Sequence, residues 1–242
     1  MKGANDRIEY PGLSELEKMA DAVNYNDWLF SRAAPFLGKR TVEVGCGIGV
    51  YVRLAAMQGI KTLGIEPDPT CLQLAQEKLR DLDDVELIKG DICCEETMLA
   101  MKSFAPDSAY CFNVLEHIED DRMALGNMAS ALKPGGMLIL IVPAFPCLYG
   151  ANDELVGHYR RYKMDDLGEK LTDAGLLIQD QYYLNSVGFF AWFFLNRILR
   201  QSTQSGAQIG VYDRVVIPAL RRLESRWHFP FGQSLVAIAK RT

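Results

Sequence analysis

The chain has 242 residues, 49% hydrophobic and 24% charged, with a formal net charge of -5. A domain of this length buries roughly 70% or more of its unfolded surface, and the apolar content excludes an intrinsically disordered chain. The acidic balance excludes a general nucleic-acid binder, which needs a basic surface. Six cysteines (46, 71, 93, 94, 111 and 147) form no CxxC pair, and with three histidines no zinc-type cluster is expected. The first ten residues, MKGANDRIEY, hold no apolar core of a secretory signal, so reduced thiols in a cytoplasm are expected.

Residues 13–37, LSELEKMADAVNYNDWLFSRAAPFL, have helical periodicity, with Ser14 and Glu17 at capping-box spacing. RTVEVG (40–45) reads as a strand, and VYVRLAAMQG (50–59) as a helix closing on Gly59. KTLGIEP (61–67) is a second strand, followed by a helix over 69–80. VELIKGD (85–91) and DSAYCFN (107–113) are the third and fourth strands. DRMALGNMASALKPGG (121–136) is a helix ending in a Pro-Gly-Gly turn, and MLILIVP (137–143) a buried fifth strand. LLIQDQYYL (176–184) and QSLVAIAKR (233–241) complete a set of seven strands. Continuous apolar strands separated by helices predict an α/β chain with a doubly wound, mostly parallel sheet covered on both faces.

Glycines 45, 47 and 49 stand between the first strand and its helix. Glycine interrupts both, so three within five residues imply a tight turn whose main chain approaches a ligand. Ligands of such sheets bind beyond the carboxyl ends of the strands. A dinucleotide fingerprint GxGxxG would need glycine where Val50 stands, so the pattern is ExGxGxG. Glu66, closing the second strand, is placed to accept from both hydroxyls of a ribose, each charged bond worth roughly 1.5–3 kcal/mol. Asp91, after the third strand, is placed to accept from an exocyclic amino group while a nearby backbone N–H pairs with a ring nitrogen.

VEVGCGIG, GIEPD, GDI, FNVLEHI and LKPGGMLIL, in this order, resemble the successive motifs of class I S-adenosylmethionine-dependent methyltransferases over about residues 38–145. The resemblance implies a Rossmann-like methyltransferase fold with S-adenosylmethionine as cofactor. It implies that the turn Gly45, Cys46, Gly47 and Gly49 accommodates the methionine part, Glu66 and Pro67 the ribose, and Gly90, Asp91 and Ile92 the adenine. Glu43 matches the acid that usually supports the cofactor's amino group through water. Asn113 and Val114 match backbone positions near the amino-acid moiety. His117 could face the cofactor, act as a base, or be a packed or capping histidine.

One domain is expected over 1–242: an N-terminal helical cap (1–37), a cofactor core (38–145) and a substrate-side half (146–242) with a helical insertion at 185–232. Tyr25 and Trp28 are candidates for a roof over the site, or members of a helix pair packing on the sheet. GHYRRYKMDDL resembles a stretch in one bacterial branch of small-molecule methyltransferases, several of which sit with glycan or lipid pathways. There His158 offers a base, and Arg160 and Arg161 two anion-binding forks beside Tyr159 and Tyr162, or else a salt-bridge loop. The stretch NSVGFFAWFFLNRILR is too short and interrupted to span a bilayer. With Arg197 and Arg200 it would suit a membrane surface, over 186–200, an apolar acceptor tunnel, or a homodimer face or ordinary core helix. The expected reaction is methyl transfer to a small-molecule acceptor by in-line displacement, with no metal. A non-catalytic partner protein of this fold and a nicotinamide-dependent oxidoreductase are the alternatives.

Overall fold

A computed structural model describes residues 12–194 and 206–242. Seven strands, β1 (Arg40–Val44), β2 (Lys61–Glu66), β3 (Val85–Lys89), β4 (Ser108–Phe112), β5 (Met137–Pro143), β6 (Leu176–Leu184) and β7 (Ser234–Arg241), form one sheet in the order β3-β2-β1-β4-β5-β7-β6. β7 pairs antiparallel with both β5 and β6, and the other pairings are parallel. The strand order reverses between β1 and β4, which sets the crevice where a ligand fits.

The apolar runs are continuous because both faces are covered. On β4 and β5, Ala109, Cys111, Leu138, Leu140 and Val142 belong to one layer. Tyr110, Phe112, Ile139 and Ile141 belong to the other, so the period of two divides one apolar stretch between two cores. The first layer takes Met101 and Phe104 from α5 (Glu95–Phe104), Leu125 and Met128 from α6 (Asp121–Ala131), and Leu167 and Leu171 from α8 (Met164–Asp173). The second takes Trp28 and Leu29 from α2 (Val23–Ala33), and Ile217 and Leu220 from α11 (Ile217–Glu224). Each fully buried aliphatic side chain contributes about 1.5–3 kcal/mol.

Several local expectations change. The N-terminal segment is two helices, α1 (Leu13–Ala20) and α2. Ser14 lies inside α1, whose N-cap is Gly12 without a side-chain cap, so the Ser14–Glu17 spacing is not a capping box. The first N–H groups of α2 are satisfied from far away: Asp213 accepts from Asn24 N at 3.3 Å and Tyr25 N at 2.8 Å. α5 has no counterpart in the sequence reading, since its core contacts Met101 and Phe104 follow a polar opening turn of Glu95, Glu96 and Thr97. α6 stops at Ala131 because Leu132 is already extended, ahead of Lys133 and Pro134. The remaining helices of the first half, α3 (Val50–Ala56) and α4 (Pro69–Leu79), pack through Val52, Ala75 and Leu79. α7 (Ala151–Leu155) precedes α8, and α9 (Ser186–Trp192) and α10 (Gly206–Val211) lead to α11. The stretch 195–205, including Arg197 and Arg200, and the first eleven residues lie outside the described residues. Among the described residues, the cysteines are all free and no helix is long and apolar enough to cross a membrane.

Candidate functional site

A cavity of about 1140 Å³ opens at the carboxyl edge of the strands, over β1, β2 and β4. One end is built by backbone. Gly45, Gly47 and Gly49 have φ of 73°, 52° and 85°, the left-handed region that side chains avoid. Packing adds a second demand at two of them. A Cβ at Gly45 would lie 2.4 Å from a Val114 methyl, and one at Gly49 would lie 2.7 Å from a Leu79 methyl. At Gly47 it would meet only Leu16 carbons, at 3.5 and 3.7 Å, and Gly47 lines the cavity.

Glu66 ties this turn to the next strand. Its Oε2 accepts from Gly47 N at 2.7 Å and its Oε1 from Asp68 N at 3.0 Å. Burial pushes its carboxyl up, against the pull of those two N–H groups. Asp68 in turn caps α4, accepting from Thr70 N and Cys71 N. Asp91 Oδ1 accepts from Cys93 N at 2.9 Å, and Asn113 holds a left-handed φ of 52° just after β4. Gly45, Cys46, Gly47, Glu66, Pro67, Gly90, Asp91, Ile92, Asn113, Val114 and Tyr25 all line the cavity.

The other end is built by side chains. His158 Nδ1 lies 2.7 Å from Asp153 Oδ1, which also accepts from Arg161 Nε at 2.8 Å, while Asp153 Oδ2 accepts from Gly150 N. Burial alone would raise the Asp153 carboxyl, but His158 and Arg161 hold it below the usual carboxylate range. An ionised Asp153 fixes the proton on Nδ1, leaving His158 Nε2 as the free nitrogen. That nitrogen lies 3.8 Å from Glu116 Oε1. Glu116 is 1% exposed, and no donor from another described residue reaches either of its oxygens within hydrogen-bonding distance. Burial pushes its carboxyl up to about 7. The His117 and His158 rings stand perpendicular at 4.6 Å between centroids. Burial, then the neighbouring His158, pushes His117 down to about 4.

Four expected site residues are placed away from the cavity. Trp28 is fully buried between α2 and the sheet, so the roof assignment for it gives way to a core position. Arg160 is not a free fork: its Nη1 lies 2.8 Å from Asp121 and its Nη2 donates to the Glu119 carbonyl at 2.7 Å. Glu43 is 2% exposed beneath the glycine turn, where Tyr110 donates to it at 3.2 Å. Gly49 serves the turn and the α4 contact rather than the lining. Arg161 does line the cavity, but as the buried partner of Asp153, stacked 4.9 Å from the Trp192 ring centroid. Tyr159 lines the cavity with its ring half exposed. Phe193 and Phe194 are exposed just before the undescribed stretch.

Sequence reading missed Glu116 and Asp153. Glu116 sits in an acidic run, LEHIEDD, where nothing marks one carboxylate as buried. The cavity is strongly one-signed: among its described lining residues are Glu15, Glu66, Asp68, Asp91, Glu116, Glu119 and Asp120, against Arg161 alone.

The described geometry agrees with what known proteins resemble this chain. A family profile described as "Methyltransferase domain" matches residues 5–181. The chain is 32% identical over 110 residues to a ubiquinone biosynthesis O-methyltransferase of Ralstonia nicotianae, covering 46% of this chain and 45% of that protein. It is 28% identical over 167 residues to the protein of the same name in Xanthomonas axonopodis pv. citri, covering 64% of this chain and 69% of the relative. The match to the first therefore spans less than half of that relative's length. A solved S-adenosylmethionine-dependent methyltransferase from Archaeoglobus fulgidus superposes with a TM-score of 0.59 at 17% identity, over 89% of this chain and 94% of that one, which establishes the shared fold. The chain belongs to the family described as "Methyltransferase domain".

Proposed function

We propose that the chain transfers the methyl group of S-adenosylmethionine to a small-molecule acceptor held against Glu116, His117 and His158. The observation that carries this reading is the single cavity that joins the glycine turn to that polar wall. The residues present fit the cofactor: the turn at Gly47 is open to the cavity, and the Glu66 carboxylate stands at its edge with two N–H groups already orienting it. When bound, S-adenosylmethionine supplies an electrophilic methyl on a sulfonium.

The chain's own groups would then divide the work. Glu66 would accept from the ribose and Asp91, with the Gly90–Ile92 turn, would hold the adenine. Asn113 and Val114 would pass close to the amino-acid moiety. Glu116 and His117, on the turn after β4 and in the cavity lining, would face the acceptor beyond that moiety. Methyl transfer of this kind rests on positioning and on exclusion of water. An acceptor that is still protonated must also lose a proton, and His158, with Nδ1–H held by Asp153, presents Nε2 as a base or a ligand. Trp192 in the lining supports an acceptor with an apolar portion.

Titration calorimetry tests the cofactor half of the reading. S-adenosylhomocysteine is expected to bind and NADH to give no heat. Binding of NADH alone would favour the oxidoreductase alternative. A screen of acceptors for the gain of one methyl by mass spectrometry tests the other half, and a cofactor-binding protein that methylates nothing would favour the non-catalytic alternative.

A further inference from the structure

We propose that Glu116, His117 and His158 form a binding site for one divalent first-row transition-metal cation at the acceptor end of the cavity. The oxygen and nitrogen atoms these residues offer all lie within 4.8 Å of one another. Glu116 Oε1 and His158 Nε2, at 3.8 Å, are already near the spacing of two ligands on one ion. Metal–ligand lengths of about 2.0–2.2 Å put tetrahedral neighbours about 3.5 Å apart. The perpendicular His117 and His158 rings let their lone pairs converge without stacking.

Three features separate this cluster from a chance grouping. Glu116 is almost fully buried and lines the cavity, yet no other described residue donates to its carboxylate, an arrangement that costs free energy unless a cation completes it. His158 donates its other nitrogen to a buried carboxylate, the support that orients a metal-bound imidazole and raises its basicity. His117 lines the cavity beside them, its ring edge-on to that of His158. The charges nearby agree. Asp153 balances Arg161, and Glu119 and Asp120 add negative charge at the rim.

A carboxylate with two imidazoles suits zinc, iron(II), manganese or cobalt, and three protein ligands leave a position open. The open position would take an oxygen of the acceptor and lower its affinity for a proton. This role rests on reading this end of the cavity as the acceptor's place, whereas the binding of the ion itself does not.

The test uses the full chain, stripped of metal with a chelator and titrated with cobalt(II). One equivalent should develop a visible d–d spectrum of a nitrogen and oxygen environment, displaced by zinc. Glu116→Gln, His117→Ala and His158→Asn should each weaken cobalt binding by more than about tenfold, and Asp153→Asn, acting through His158, by about tenfold. Affinity for S-adenosylhomocysteine and the melting temperature report whether each variant keeps its fold, and a failed cofactor titration would count against the methyltransferase reading without touching the metal. Azide, as a small probe, should shift the cobalt spectrum if a position is open. The proposal is overturned if the stripped protein takes up no cobalt, if a thiolate charge-transfer band shows cysteines as ligands, or if folded variants bind as well as the parent. An azide-insensitive spectrum would overturn the acceptor role.

Discussion

The two ends of the cavity are made by different means. The glycine-turn end is a matter of backbone: left-handed turns at Gly45, Gly47 and Gly49, a cap at Asp68, and one carboxylate, Glu66, holding two N–H groups. The opposite end is a matter of buried charge, with Asp153 and Asp121 each gripping cations of the 158–170 stretch. Backbone constraints admit few residue types, so they mark a sequence. Ion pairs use residues that are common everywhere, so the same letters read equally well as a solvated loop.

The largest expected effect lies at the charged end. Asp121 accepts from Lys170 Nζ at 2.7 Å and from Tyr162 at 2.9 Å, and pairs with Arg160 at 2.8 Å. Burial would raise its carboxyl, but these partners hold it below the usual range. Asp121→Ala strips two partly buried cations of their buried carboxylate, leaving Lys170 with Asp166 at 3.3 Å and Arg160 with the Glu119 carbonyl, and should cost about 3 kcal/mol in urea unfolding. A loss near zero would show that the loop is not fastened by charge and would break the comparison.

At the backbone end the loss should be smaller and should fall on binding. Glu66→Ala removes the acceptor proposed for the ribose together with the acceptor of the Gly47 and Asp68 N–H groups. Calorimetry should show S-adenosylhomocysteine weakened by more than about 1 kcal/mol. An unchanged affinity would take Glu66 out of the site.

Glu43 sharpens the contrast, because it is a buried charge inside the backbone end. Burial pushes its carboxyl well above the ordinary 4.5, only partly offset by the Tyr110 hydroxyl. A carboxyl raised in the folded state contributes stability below that ordinary value and loses it as pH rises through the folded value. Glu43→Gln cannot ionise, so its melting temperature relative to the parent should rise from about pH 4.5 upward. A difference that stays flat with pH would show that folding leaves the Glu43 carboxyl at its ordinary value.

The strands, the switch point and the glycine turn were legible because period, glycine position and strand-end acids each have a narrow physical cause. Arg160 and Arg161 show where legibility stops. Adjacent in sequence and equal in chemistry, one pairs with Asp121 and the other with Asp153, and neither stands as a free anion fork. Trp28 is ambiguous for a similar reason: an aromatic on a helix suits a roof and a core alike, and only its full burial in the layer that holds Tyr110 and Ile139 decides. The Glu116, His117 and His158 grouping escaped because two distant loops supply it, whereas metal patterns are searched for at short spacing. Asp213 reaching back to cap α2 was beyond any local rule, since donor and acceptor stand nearly the whole chain apart.

The one-signed lining bears on turnover. A sulfonium carries a positive charge that its thioether product has lost, and the walls carry far more acid than base. A negative cavity grips the cation and relaxes its hold on the neutral product, more so where water is excluded and the field is unscreened. If the chain transfers the methyl group as proposed, discharge of the cofactor would double as the cue to vacate.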